Sequence, residues 1–216
     1  MTGHAFPFHG EILTARASGA LWWAAAGVLV VADLHFGKAL RPARRGGALL
    51  PPYDMAETLA RLDAELDATG ARRVIALGDS FDAPGAEAEL AEPDRLWLAR
   101  LMAGRDWIWI AGNHDPGPAD VGGSLHGAYR LGPLIFRHIA EPGAVAEVSG
   151  HYHPKARLAA GAAPCFLIDA ARVILPAFGR YTGGLDCRAD VLAGLMGPGA
   201  LAVLTGRRAR LVPMPR

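Results

Sequence analysis

Four short apolar runs, each ending in a cluster of Asp, Asn and His, restrict this chain to few folds. They are VLVVADLH from Val28 to His35, RVIALGDSFD from Arg73 to Asp82, DWIWIAGNHD from Asp106 to Asp115, and AVAEVSGHYH from Ala144 to His153. Runs of this length, rich in Val, Ile and Trp and bounded by Gly and Asp, read as buried strands. Two helical stretches separate the first three. Asp54 to Thr69 carries Met55, Leu59, Leu62 and Leu66 at helical spacing and meets a stop at Gly70. Ala86 to Ala103 places Leu90, Leu96, Leu98 and Leu101 around Pro93, which opens or breaks the helix. Strands alternating with helices argue for a stacked α/β sheet.

Beyond Leu125 the pattern changes to strands joined by tight turns. YRLGPLIFRHI, CFLIDAARVILP and the terminal ALAVLTGRRARLVPMP, with its Thr205-Gly206 turn, read as hairpins. So does ALWWAAAGVLVVAD, turning near Ala26-Gly27. So many hairpins do not fit one parallel sheet. The expected architecture is α/β, a four-layer αββα sandwich of two facing mixed sheets flanked by helices, in a single domain over 1–216.

Composition narrows the class. At 216 residues the chain suits one domain with a substantial core, and 51% hydrophobic with 20% charged residues excludes a disordered chain. A net charge of +1 excludes a global basic footprint for nucleic acid, so anion binding has to come from a local patch or from metal. The two cysteines, Cys165 and Cys187, form no CxxC pair and argue against a disulfide framework. The longest apolar run, GALWWAAAGVLVVA, is shorter than the ~20 residues of a membrane helix. The opening MTGHAFPFHGE shows no charged segment followed by an apolar one. The expectation is a soluble, cytoplasmic protein with no membrane partner.

Ligands of open α/β sheets gather at the carboxyl ends of the strands. Each of the four runs ends there in metal-capable side chains: Asp33 and His35, Asp79 and Asp82, Asn113 and His114, His151 and His153. His151 and His153 are two residues apart, a spacing that in extended chain puts both rings on one side. Four such endings at the same end of adjacent strands would form one shell of oxygen and nitrogen ligands.

The ordered set DLH, GDSFD, GNHD and GHYH resembles the calcineurin-like metallophosphoesterases, whose pattern is DxH, GDxxD, GNH(D/E), a lone His and GHxH. It covers Asp33 to His153. ADLHFGK in an opening hairpin, GHYHP and YTGG are similar to a narrower group, the bacterial ligase-associated metallophosphoesterases described as DNA-damage-response endonucleases. The resemblance implies that Asp33, His35 and His153 bind one metal, that Asn113, His151 and one further His bind a second, and that Asp79 bridges them. His114 would stand over the phosphate as a cation or general acid, oriented by Asp82. The lone His is either His126 or His138. His138 is chosen because it closes an apolar run, as the other ligands do.

These roles fit the chemistry. Two ions about 3.5–4 Å apart can clamp a phosphate and a bridging hydroxide for in-line attack. Two carboxylates against two dications leave positive charge in the shell, which draws phosphate in and lowers the pKa of bound water. Mixed O/N ligation without thiolate suits Mn, Fe or Zn, and the resemblance favours Mn. It also implies a phosphoester substrate, in DNA, and a functional association with a DNA ligase and a helicase.

Other residues are weighed against plainer roles. Asp115 reads as a residue that ties down its loop. Lys38 and the basic cluster Arg41, Arg44 and Arg45 are candidates for substrate phosphate contacts, against a solvated loop. Arg207, Arg208 and Arg210 read as exposed, as do His4 and His9. Residues 181–184 form a turn whose backbone N–H groups could reach a phosphate. Trp22, Trp23, Trp107 and Trp109 read as core. Three functions compete: a dinuclear phosphodiesterase acting on DNA, a small-molecule or nucleotide phosphoesterase with a closed pocket, and a non-catalytic metal-binding scaffold. The last requires loss of ligands, and none is lost. No strand edge for self-association is identified.

Overall fold

The computed structural model describes residues 3–37, 54–83, 85–113, 115, 117, 121–158, 161–180 and 182–216. The first sheet begins with a hairpin of β1 (Gly3–Phe8) and β2 (Glu11–Arg16). Its turn, His9-Gly10, takes two positive φ angles, 47° and 85°, as a two-residue turn matched to strand twist requires. Pro7 is tolerated because β1 lies at the sheet edge. β3 (Leu21–Trp23) and β4 (Val28–Val31) complete the antiparallel part. β5 (Arg73–Ala76), β6 (Asp106–Ile110) and β7 (Ser124–His126) then add in parallel.

The second sheet has the order β15-β14-β12-β13-β10-β9-β8, and β11 (Lys155–Leu158) pairs with β12. Its strands are β8 (Ala128–Leu131), β9 (Leu134–Arg137), β10 (Glu147–Ser149), β12 (Gly161–Ile168), β13 (Arg172–Ile174), β14 (Leu201–Leu204) and β15 (Arg210–Pro213). β9, β10 and β13 are parallel neighbours, and the remaining pairings are antiparallel.

The sheets face each other. Leu13, Val30, Ile75 and Ile110 of the first share one buried cluster with Phe136, Val148, Phe166 and Val203 of the second. The outer face of the first sheet is covered by α1 (Asp54–Thr69) and α2 (Glu92–Met102). α1 buries Met55, Leu59, Leu62 and Leu66, its apolar stripe, and Gly70 ends it at φ 62°. Pro93 sits in the first turn of α2, where its missing N–H costs nothing. Leu98 and Leu101 face inward, and Leu96 points to solvent. A short α3 (Asp190–Leu195) packs outside the second sheet through Leu192. The layers are helix, sheet, sheet, helix, and the expected hairpins form. Trp107 and Trp109 are buried in the outer cluster with Trp22 packed against it, and Trp23 is buried between the sheets. Cys165 and Cys187 are free thiols with sulfurs 3.6 Å apart. Among the described residues no helix is long and apolar enough to cross a membrane.

One expectation is corrected. The four runs are not adjacent strands. β4, β5 and β6 are neighbours in the first sheet, but the run ending in His151 and His153 is β10 of the second. An apolar run buried on both faces carries no mark of which sheet it joins. The two sheets are stitched beside the site by residues 175–179. There the Leu175 N–H donates to the carbonyl of Ser149, the Phe178 N–H to that of Ala32 and the Gly179 N–H to that of Asp33. The initial hairpin, β7, β11 and α3 were not expected. Alternation of buried Phe6, Phe8, Leu13 and Ala15 about His9-Gly10 was the available signal for the hairpin.

Candidate metal centre

The strands of both sheets end in loops that meet at one seam. Beyond β4 and β5 the chains run side by side. The His35 N–H donates to the carbonyl of Asp79 at 2.9 Å, that of Phe36 to Ser80 at 2.9 Å and that of Asp82 to Phe36 at 3.1 Å. Asp33, His35, Asp79, His151 and His153 all lie at positive φ, between 45° and 73°. Such backbone costs of order 1–3 kcal/mol per residue and persists only where its surroundings enforce it. Asp and His are among the side chains that tolerate it best.

Close approach needs glycine at two of these turns. At Gly78, itself at φ 76°, an added Cβ would overlap the imidazole of His138. At Gly112 it would overlap the carboxylate of Asp79. The glycine preceding one ligand therefore makes room for another, so the glycines of GDSFD and GNHD belong to the geometry of the site as well as to its turns.

Two groups of donor atoms result. Asp33, His35 and His153 form one, and Asp79, His138 and His151 form the other, with the donors of each within 4.8 Å of one another. Asp33, His35, Asp79 and His138 are buried, and His151 and His153 are half-buried. Asn113 joins the second group, its Oδ1 2.8 Å from His138 Nε2. Asp33 lies at the boundary. Its Oδ2 accepts the backbone N–H of His151 at 2.9 Å. Its buried Oδ1 accepts no hydrogen bond from the described residues and lies 3.2 Å from His153 Nε2.

The second group shows most directly that the residues fit a cation. His138 Nδ1 lies 2.8 Å from the carbonyl of Leu77, which can only accept, so Nδ1 carries the proton. Whenever the ring is neutral, its lone pair sits on Nε2. Around Nε2 stand Asn113 Oδ1, His151 Nδ1 at 3.2 Å and Asp79 Oδ2 at 3.4 Å. Lone pairs converging at the rim of a buried site need a positive charge, a proton or a metal ion, between them. Burial opposes charging of His138, but its bond to Asp79 and the fields of Asp33 and Asp79 outweigh that and raise its pKa. Burial and the neighbouring His138 push His151 the other way, toward the neutral form that ligates metal. Carboxylate, imidazole and amide oxygen without thiolate make a donor set for a borderline divalent ion.

Residues around the groups hold them in place. Asp115 is buried. It accepts the N–H of Phe81 at 3.0 Å and that of Gly117 at 2.9 Å, tying the loop after β6 to the loop after β5. The Asp82 carboxylate lies 3.6 Å from His35 Nδ1, a neighbour the sequence reading did not give it. His114, its expected partner, is outside the described residues, as are Lys38, Arg41, Arg44 and Arg45. His126 belongs to neither group. Its Nε2 is 3.1 Å from Ser124 Oγ and its ring packs against Tyr129. Next to the second group, Asn113, Arg137 and His138 line a cavity of about 270 Å³.

No protein-family model matches the chain, and no curated protein matches it in sequence. Seven solved chains match its structure. One is the crystal structure of the Pseudomonas putida nuclease MPE, with a TM-score of 0.77 and 29% identity, covering 98% of this chain and 100% of that one.

Proposed function

We propose that this protein is a metal-dependent phosphodiesterase of the calcineurin-like type that cleaves nucleic acid, with DNA as the substrate. The observation that carries this reading is the convergence of two donor groups, drawn from five strand ends of two sheets, at one seam. Likeness to a nuclease over nearly the whole chain supports the choice of substrate.

In this reading Asp33, His35 and His153 hold one divalent ion, and Asn113, His138 and His151 hold a second. Asp79 is shared between them. When bound, two such ions, manganese by preference and iron or zinc otherwise, supply Lewis-acid polarisation of a phosphoryl oxygen and an activated water nucleophile. The chain's own residues do the rest. Leu77 holds His138 in the tautomer that offers Nε2. The His151 N–H occupies one Asp33 oxygen, which turns the other inward. Asp82 steadies His35, and a partner of this kind commonly tunes ligand basicity. His114 would stand over the phosphate as a cation or general acid, and Lys38, Arg41, Arg44 and Arg45 would contact the strand. A role in DNA repair beside a ligase and a helicase rests on the motif resemblance alone.

The test is hydrolysis of bis-p-nitrophenyl phosphate beside p-nitrophenyl phosphate with Mn, Mg, Zn or EDTA, in wild type, Asp79→Asn and His114→Ala. Metal-dependent cleavage of the diester, lost in both variants and followed by cleavage of DNA, is the expected result. Preference for the monoester would replace this reading with a small-molecule phosphatase. Absence of turnover with every metal would leave a binding scaffold.

A further inference from the structure

On the side of Asp33 and His153 the described residues line a second cavity, of about 200 Å³, that contains none of the ligands. Three cations line it: Arg61 from α1, Lys155 from β11 and Arg180 from the segment after β13. No acidic side chain is among its described lining residues. Its wall is continuous with the metal centre. Gly179 donates its N–H to the carbonyl of Asp33 at 3.1 Å, and Lys155 stands two residues beyond His153, its Nζ donating to the carbonyl of Thr182 at 3.2 Å.

Arg61 is the unusual member. Its guanidinium carbon lies 4.5 Å above the ring of the fully buried Phe178, yet its Nε and Nη2 are buried and donate to nothing among the described residues. The ring contact steadies the charge without satisfying either N–H. Burial, followed by the charge of Arg180, holds the Arg61 pKa below its ordinary value, with Glu57 opposing. Glu57 is already engaged, its carboxylate 2.6 Å from Arg180 Nε. Orphaned buried donors of a charged group are expensive, and folded proteins keep few. Three cations against one carboxylate add repulsion. An anion with several acceptor oxygens relieves both costs, and a planar guanidinium matches phosphate with two parallel bonds.

We propose that this cavity is a subsite for a backbone phosphate of a nucleic-acid strand, taking a phosphodiester next to the one that lies over the metal centre. The assignment rests on the reading of the protein as a nucleic-acid phosphodiesterase. It gives the strand a direction of travel: from the second group, past Asp33 and His153, onto Arg61, Lys155 and Arg180.

The experiment measures binding of a labelled short single-stranded DNA to the full chain in EDTA, at several salt concentrations. The proteins are wild type, Arg61→Met, Lys155→Met, Arg180→Met and Glu57→Gln. Arg61→Met keeps a stem over Phe178, and the exposed Arg180→Met serves if Arg61→Met does not fold. The methionine variants at Arg61 and Lys155 should weaken binding roughly five- to tenfold and lower the salt slope, by at most about 0.7, the value for one phosphate of a single strand. Glu57→Gln, which releases Arg180, should tighten binding. In the Mn-loaded enzyme, the KM for DNA should rise in the three methionine variants relative to the KM for bis-p-nitrophenyl phosphate, which has only one phosphate. Unaltered DNA affinity and slope would overturn the subsite. So would loss of inorganic phosphate binding with DNA binding intact, because the cavity would then serve a free anion. If wild type hydrolyses neither DNA nor the small diester while the binding changes appear as expected, the nuclease reading falls and the phosphate subsite stands. If wild type cuts DNA and the variants bind as it does, the subsite falls and the nuclease reading stands.

Discussion

The two donor groups are built differently. In the first, Asp33 and His35 come from a single kinked turn after β4, and only His153 arrives from the second sheet. In the second, Asp79, His138 and His151 come from three separate strand ends, in both sheets. The first group is half-assembled by local backbone. The second exists only when β5, β9 and β10 are packed together. A centre of this design couples metal binding to the docking of the two sheets, because neither group is complete on one sheet alone.

That contrast can be broken experimentally. The largest effect is expected in activity. Asp33→Asn, from the first group, and Asp79→Asn, which serves both ions in the proposed reading, should each cut Mn-dependent turnover of bis-p-nitrophenyl phosphate by about 10³-fold, the upper range for removing one preorganised electrostatic partner. A variant in either group that keeps a tenth of wild-type rate would show that one group suffices.

Gly78→Ala addresses the second group alone. The new Cβ meets the His138 ring, and the backbone there is left-handed. Calorimetric titration should show one Mn site where wild type shows two. Retention of both sites would mean that His138 can retreat without losing its ligand role.

Metal removal comes next. The buried carboxylates Asp33 and Asp79 are stabilised by any cation that binds only the folded chain. Mn at a hundred times its Kd should contribute about 2.7 kcal/mol, which is about 5–10 °C in Tm for a chain of this size. Equal melting in Mn and EDTA would contradict a metal held between the sheets.

The smallest effect sharpens the comparison. Asp82 lies beside His35, so Asp82→Asn should weaken Mn binding at the first group by roughly tenfold, as loss of such a supporting partner commonly does, and leave the second unaltered. A change at the second group instead would place the influence of Asp82 elsewhere.

Much of this was legible because the signals are local. The stripe Met55, Leu59, Leu62 and Leu66 and the stop at Gly70 define α1 to its last residue, Thr69. The motif residues after each apolar run mark strand ends, and His138 was separable from His126 because it too closes such a run. Leu96 shares the spacing of Leu98 and Leu101 yet faces solvent, since helical period sets which residues share a face and not how wide the covered face is. The motif resemblance paired Asp82 with His114, far away in sequence and outside the described residues, while a described neighbour is His35, which the parallel course of two loops brings alongside.

By itself, the order of residues determined the element types, the turns and the set of side chains able to hold a metal, because strand, helix and turn preferences act over a few neighbouring residues. Tertiary structure alone decided that β10 belongs to the second sheet and that Arg61, Lys155 and Arg180 face one cavity. These depend on how two buried sheets stack, and the burial that drives stacking is non-directional. It rewards any apolar face equally, so only the assembled core selects which loops meet.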